Sequence, residues 1–181
     1  MSTRGAWGFR KNGTDKITYN HFDSYPTGLG KVIQDFILKS SIEELNEIYD
    51  KIILQDSSIK PTEKQIEECK KYANLEVSSQ KITDWYCLLR EAQGNPFVYK
   101  DDCKYMLNGR EFMYDGLFCE WAYIINLDQN TLIIYEGFSQ KIEPNRYYNK
   151  DYEYHLHLRE EVPLDQLHKF DMEKLEEEDV A

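Results

Sequence analysis

Apolar residues in the middle of the chain recur at the spacing of an amphipathic helix, in which they line one face. These stripes predict four helices, over residues 28–40, 42–53, 62–73 and 83–94. Two helices start with capping patterns, Ser41 with Glu44 and Thr62 with Gln65, which satisfy free N–H groups of a first turn. Gly94 suits the left-handed residue that ends many helices, so we expect the fourth helix to stop there.

Towards both ends of the chain the pattern changes to alternation, which is typical of strands with one buried face. Residues 3–21 predict a hairpin around Asn12-Gly13, because this pair favours the positive φ angles of a tight turn. Residues 118–127 and 131–136 predict a second hairpin. One or two shorter strands are expected within residues 98–114, and a last strand within residues 151–160.

Strands at both ends and helices between them predict an α+β fold. We expect an antiparallel sheet from the N- and C-terminal hairpins, with about four helices packed on one face. No repeat or linker interrupts residues 1–170, so these form a single predicted domain. Residues 171–181 are predicted to be an acidic, frayed tail.

Composition limits the class of protein. The chain has 181 residues, 41% of them hydrophobic, which suffices for a core without disulfides. Its net charge of -11, from 33 acidic and 22 basic residues, opposes direct binding of nucleic acid by phosphate neutralisation. An acidic chain instead favours a basic protein partner, such as one whose groove normally holds phosphates. The alternative is that acidity only maintains solubility.

The sequence predicts no metal and no cofactor. Its four cysteines form no CxxC pair, so we expect buried thiols rather than a zinc site. His155 and His157 share a strand face, but a metal site needs further ligands. There is no basic, apolar N-terminal segment and no apolar run of the ~20 residues that a membrane span needs. We therefore expect a soluble, cytosolic protein with no membrane contact.

The N-terminus offers the strongest candidate for catalysis. If Met1 is removed, the α-amine of Ser2 can act as general base for its own hydroxyl, as in N-terminal nucleophile hydrolases. Asn20, His21 and Asp23 return beside it along the predicted hairpin and loop. Asn20 would donate to an oxyanion, and His21 or Asp23 would orient the amine. Any chain that begins Met-Ser offers the same first residue, so the residue type alone does not demand catalysis.

Residues 18–30, TYNHFDSYPTGLG, join the first hairpin to the first helix. The segment is a well-made turn, since Asn20 and Asp23 favour Asx turns. Turn formation does not explain why Tyr19, Phe22 and Tyr25 crowd into it. We expect these rings either to anchor the loop or to offer a partner an aromatic contact surface. Glu120, in an apolar strand, is a further charged candidate. The predicted binding residues are Tyr19, His21, Phe22, Asp23, Tyr25 and Glu120.

The segments TRGAWGFRKNG, KITYNHFDSYPTGLG and LFCEWAYIINLDQNTLIIYEG resemble a family of small uncharacterised proteins from bacteriophages and bacterial mobile elements. Proteins of that family open with a Thr-Arg-Gly or Thr-Arg-Ser strand and carry a Tyr-x-His-x-Asp-x-Tyr-Pro block before the first helix. The resemblance covers residues 3–30 well and residues 117–137 moderately. It implies a phage accessory protein that acts in the cytoplasm of a bacterial host, and some such proteins are anti-CRISPR proteins that inhibit Cas9. Cas9 has strongly basic nucleic-acid channels.

Two functions follow as hypotheses. The first is an inhibitor from a phage or mobile element that binds a basic nucleic-acid-handling protein, such as a CRISPR nuclease. The alternative is an amidohydrolase of the N-terminal nucleophile type, with Ser2, Asn20, His21 and Asp23 as its catalytic residues. A protein with neither activity, serving as a scaffold or for storage, is a third possibility.

Overall fold

A computed structural model describes residues 2–177 and confirms the α+β class. The strands are β1 Gly5–Lys11, β2 Thr14–Asn20, β3 Ile53–Gln55, β4 Tyr105–Leu107, β5 Trp121–Asn126, β6 Thr131–Ser139 and β7 His155–Pro163. The α-helices are α1 Lys31–Leu38, α2 Ile42–Lys51, α3 Glu63–Cys69, α4 Trp85–Leu88 and α5 Glu173–Glu177. A π-helical turn precedes α1 at Pro26–Gly30. Further 3-10 segments are Lys70–Tyr72, Arg90–Ala92, Pro96–Tyr99, Arg110–Tyr114 and Leu164–Lys169.

The main sheet is mixed rather than antiparallel throughout, which corrects the prediction. Its strand order is β2-β1-β5-β6-β7, and β1 runs parallel to β5, with Gly5 opposite Trp121. The other three pairings in this sheet are antiparallel. Alternation specifies the face that a side chain occupies but not the direction of a neighbouring strand. The long helical connection from β2 to β5 permits parallel pairing, which a tight turn cannot make.

Both faces of this sheet are buried. Alternation along β5 divides the core, because Tyr123 faces the helices and Ala122 belongs to a second cluster on the opposite face. Helices α1 and α2 cover the first face. The segment Arg110–Tyr114 and the fully buried ring of Tyr147 close the second. The prediction of helices on one face therefore describes how one face of the sheet is covered and leaves out the segments that cover the other.

Both predicted capping patterns are present. Glu44 N donates to Ser41 Oγ at 3.1 Å, and Thr62 and Gln65 form a reciprocal capping box. Helix α2, however, ends at Lys51, and the last apolar residue of its predicted stripe starts β3. Strand β3 pairs parallel with β4, the one strand that forms within the predicted region 98–114.

The predicted fourth helix is shorter than its apolar stripe. The chain leaves α-helical geometry at Leu89, with φ -107° and ψ 16°, and continues as the 3-10 segment Arg90–Ala92. Gly94 does not end the helix in the left-handed conformation, because Gly13 is the only glycine with a positive φ among the described residues. A Cβ at position 94 would lie 2.8 Å from Asn20 Oδ1, so glycine permits close approach to the end of β2.

The first part of the predicted tail is folded. Met172 and Leu175 are buried in the main core, and α5 forms around Leu175. Arg159 Nη2 on β7 donates to the Leu175 carbonyl oxygen at 3.2 Å. Two apolar side chains inside an acidic run are therefore enough to dock it. The remainder of the predicted tail, residues 178–181, lies outside the described residues.

Candidate functional site

The segment that joins β2 to the first helix forms a closed turn, here called the aromatic turn, residues 19–25. Asp23 takes a left-handed φ of 52°, a conformation that aspartate tolerates better than most residues. Leu29 N donates to the Asp23 carbonyl oxygen at 2.8 Å, and Gly28 N donates to that of Tyr25 at 3.0 Å. Asp23 therefore has a defined structural role in closing the turn.

Asn20 and Ser24 hold the inside of the aromatic turn. Asn20 Nδ2 donates to the Phe22 carbonyl oxygen at 2.5 Å and lies 2.9 Å from Ser24 Oγ. Ser24 is fully buried, and its backbone accepts from the Tyr123 hydroxyl at 2.9 Å. Ser24 N also donates to the Thr3 carbonyl oxygen at 3.0 Å, which ties the turn to the N-terminal segment.

The predicted catalytic group around Ser2 is not assembled by hydrogen bonds. Within residues 2–177, no hydrogen bond joins Ser2 to Asn20, His21 or Asp23. Both contacts of Asn20 Nδ2 lie within the turn, so this amide is not presented to an oxyanion. Met1, whose removal the hydrolase hypothesis requires, lies outside the described residues, and that hypothesis stays a prediction.

Of the three predicted aromatic residues, Tyr19 and Phe22 cluster with His21, whereas Tyr25 packs against the main core. The Tyr19 hydroxyl and His21 Nδ1 lie 2.6 Å apart, and the His21 and Phe22 rings are 4.4 Å apart. Tyr19 also packs edge-on against Phe112 at 4.8 Å. Phe22 is 52% exposed, a large fraction for an aromatic side chain. Burial, followed by the charge of Arg90, lowers the pKa of His21, so its neutral form is favoured.

Tyr25 is partly buried and packs against the main core. With Phe22 and Asp23 it borders an open groove of about 530 Å³ that continues along α1 past Lys31 and Val32. Phe22 thus forms the ridge between this groove and the surface of Tyr19 and His21. The structure brings five of the six predicted binding residues into this one region.

Glu120, the sixth, extends the pairing of β1 with β5. Its Oε1 accepts from Arg4 N at 3.2 Å, and its own N–H donates to the Arg4 carbonyl oxygen at 3.0 Å. The Arg4 guanidinium lies 4.5 Å from the centre of the Phe118 ring. Glu120 therefore has a structural role, because it holds the N-terminal segment at Arg4. The aromatic turn contacts the same segment at Thr3.

A second surface carries much of the negative charge. We define the acidic edge as residues 151–177, which contain nine acidic and three basic residues, a surplus of six out of the net 11. Eight of the nine are exposed, and Glu176 is half-buried. Strand β7 is the outermost strand of the sheet, and Arg159 links it to α5. Within residues 2–177, Glu173 is the one acidic residue of this edge that forms an ion pair, with Lys31.

The acidic helices α2 and α3 differ in that lysines form ion pairs with several of their carboxylates. Glu67 pairs with Lys70 at 2.6 Å, and Glu44 approaches Lys100 at 3.4 Å. Among the described residues, the carboxylates of the acidic edge therefore have fewer ion-pair partners than those of α2 and α3.

The described residues contain no group of three or more His, Cys, Asp or Glu side chains arranged to hold a metal ion. His157 instead lies 3.4 Å from Glu136. None of the helices within residues 2–177 has the length and apolar character to cross a membrane.

No family model, curated protein or solved structure significantly matches the chain. Function must therefore be argued from the surfaces themselves. Sequence reasoning missed Tyr86 and Arg90, which lie opposite the aromatic turn. Their spacing of four residues in a predicted helix places them on one face, but nothing local shows which element that face meets.

Proposed function

We propose that the protein is an inhibitor that binds a basic nucleic-acid-handling protein through the acidic edge. The observation that carries this proposal is the concentration of exposed carboxylates on β7, the following 3-10 segment and α5. Exposed carboxylates on an edge strand and on the segments after it present negative charge to a partner, as the phosphates of a nucleic acid do. A cationic groove would therefore attract it over long range and accelerate the encounter.

The narrower proposal is that the partner is a bacterial CRISPR nuclease of the Cas9 type. Its support is the resemblance of residues 3–30 to phage and mobile-element proteins, together with the basic channels of such nucleases. We place the docking surface on the acidic edge rather than on the aromatic turn. Arg4 and Arg90 lie beside that turn, and positive charge there opposes contact with a basic groove.

The test measures binding to purified Cas9, with and without guide RNA, at about 0.05 M and about 0.5 M NaCl. The test variant is E160Q/E161Q/D165N/D171N, and the matched control variant is E43Q/E47Q/E63Q/E67Q. Each removes four exposed carboxylates and keeps the size and acceptor oxygen of each side chain. DNA cleavage by the loaded nuclease is measured in parallel.

We expect the wild-type protein to bind at low salt and to weaken by at least about tenfold at high salt, since screening removes the long-range attraction. The test variant should lose at least about tenfold in affinity at low salt, whereas the control variant should stay within about threefold of wild type. Equal losses in the two variants would contradict docking at the acidic edge. Absence of binding at both salt concentrations would contradict the choice of a Cas9-type partner.

A further inference from the structure

A cleft separates the aromatic turn from α4 and the segments on either side of it. We call it the Arg90 cleft; its volume is about 460 Å³, and its main lining residues are Tyr19, His21, Phe22, Ser78, Tyr86 and Arg90. This size lies within the range of small-molecule sites, which are mostly apolar and carry a few directed polar groups. The cleft lies apart from the acidic edge, so it is independent of the proposed function.

Arg90 supplies the polar group, and its hydrogen-bonding capacity is almost unused. Its Nε is buried and has no hydrogen-bond partner among residues 2–177. Its Nη1 makes a long contact of 3.4 Å with Gln93 Oε1. A buried donor without a partner is costly, which makes it a marker of a site completed by another molecule.

No carboxylate of the described residues forms an ion pair with Arg90, although the chain has 33 acidic residues. Arg10, Arg110 and Arg146, in contrast, share Asp15, and Arg159 pairs with Glu136. In an acidic protein, an arginine left without a counter-ion beside a cleft is suited to an incoming anion. Guanidinium groups bind carboxylate or phosphate with two parallel hydrogen bonds.

Aromatic rings form the walls beside this charge. The Arg90 guanidinium carbon lies 5.2 Å from the Phe22 ring centre and 5.9 Å from that of Tyr86. The Tyr19 and Tyr86 rings are 6.3 Å apart and inclined by 40°, and His21 lies 5.9 Å from Tyr19. Such faces favour stacking with a planar ring, as proteins use to hold nucleobases.

We propose that the Arg90 cleft binds a small ligand that combines a planar ring with one anionic group, such as a nucleoside monophosphate or an aromatic carboxylate. The ring packs against Tyr86 and Phe22, and the anion accepts hydrogen bonds from Arg90. The single cationic group limits the site to one small anion rather than a nucleic-acid strand, which needs a run of basic contacts.

Calorimetric titrations of the full chain test this assignment with five probes: AMP, UMP, indole-3-acetate, adenosine and inorganic phosphate. At least one of the first three, which combine a ring with an anion, should bind with a dissociation constant of about 1 mM or tighter. Adenosine and phosphate, which offer one feature each, should bind at least about tenfold more weakly. Preference for a nucleotide or for the indole acid identifies the source of the anion, and either result supports the site.

The R90Q variant should lose at least about tenfold in affinity for the preferred probe, and R90K should recover part of the loss. Tyr86→Phe should retain binding because the ring remains, whereas Tyr86→Leu should not. The matched control is R4Q, which removes a nearby arginine that does not line the cleft. Binding of no probe at about 1 mM or tighter, or equal binding by R90Q and wild type with unchanged thermal unfolding, would overturn the proposal.

Discussion

Replacement of Asp15 by alanine should destabilise the fold strongly, because this carboxylate joins four parts of the chain. Its side chain is fully buried and accepts from Arg10 at 3.0 Å, Arg146 at 2.9 Å and Arg110 at 3.2 Å. The Tyr147 hydroxyl donates to it at 3.2 Å. The substitution therefore leaves three guanidinium groups close together without a counter-ion.

Removal of one partner from a buried ion pair costs about 3–5 kcal/mol. Arg110 and Arg146 keep side-chain exposures of 33% and 35%, so water partly relieves the repulsion that D15A leaves behind. We therefore expect the lower end of this range, a loss of about 3 kcal/mol in the free energy of unfolding. With a urea dependence of about 2 kcal/mol per molar, the unfolding midpoint should fall by about 1.5 M.

Urea unfolding followed by tryptophan fluorescence measures this change, because Trp7, Trp85 and Trp121 are all buried. The control is Asp35→Ala, which breaks an exposed pair with Lys39 and should cost about 0.5 kcal/mol or less. A loss below about 1 kcal/mol for D15A would refute the reasoning, since the buried network would then contribute little.

The same residue predicts sensitivity to acid. Burial alone would raise the pKa of Asp15, but hydrogen bonds from Arg146 and Arg10 outweigh it and hold the pKa below its ordinary value. Because the folded pKa lies below the unfolded one, this contribution is complete above about pH 4 and is lost as the pH falls through the folded pKa. The D15A variant should lack this part of the decrease in stability.

Three further outcomes are expected. His21 should titrate below about pH 6.5 in NMR spectra, because burial and then the charge of Arg90 lower its pKa. Its protonation as the pH falls should reduce the stability of the fold. A titration midpoint at the ordinary histidine value would contradict this environment. Burial raises the pKa of Cys69 to about 12 and helps raise that of Cys103 to about 11, so both thiols should resist alkylation at about pH 8, and rapid labelling of the folded protein would contradict their burial. Gly5→Ala should disrupt the pairing of β1 with β5, because a Cβ would lie 2.3 Å from a backbone oxygen of β5; an unchanged melting temperature would count against this packing.

Features encoded by neighbouring residues could be predicted from the sequence. The Asn12-Gly13 turn has φ angles of 52° and 70°, as its residue types indicate, and Ser41 caps α2. The parallel pairings of β1 with β5 and of β3 with β4 could not be predicted, because they join segments distant in sequence. The direction of these strands depends on the path of the chain through the helices between them, and no local sequence pattern indicates that path.

The candidate surfaces show the same limit. The aromatic turn was visible as a cluster of rings in sequence, and the acidic surplus of residues 151–177 is present in composition. That this surplus forms one edge depends on β7 being the outermost strand and on Leu175 docking α5. The Arg90 cleft depends on the packing of two segments about seventy residues apart, Phe22 with Arg90, and only the fold brings them together.

Hydrogen–deuterium exchange of the protein, alone and mixed with guide-free Cas9 at low salt, tests the acidic edge most directly. The account predicts slower exchange in β7, Leu164–Lys169 and α5 when the nuclease is present, and no change in α2 or α3. Protection confined to α2 and α3, or equal exchange throughout with and without the nuclease, would contradict it.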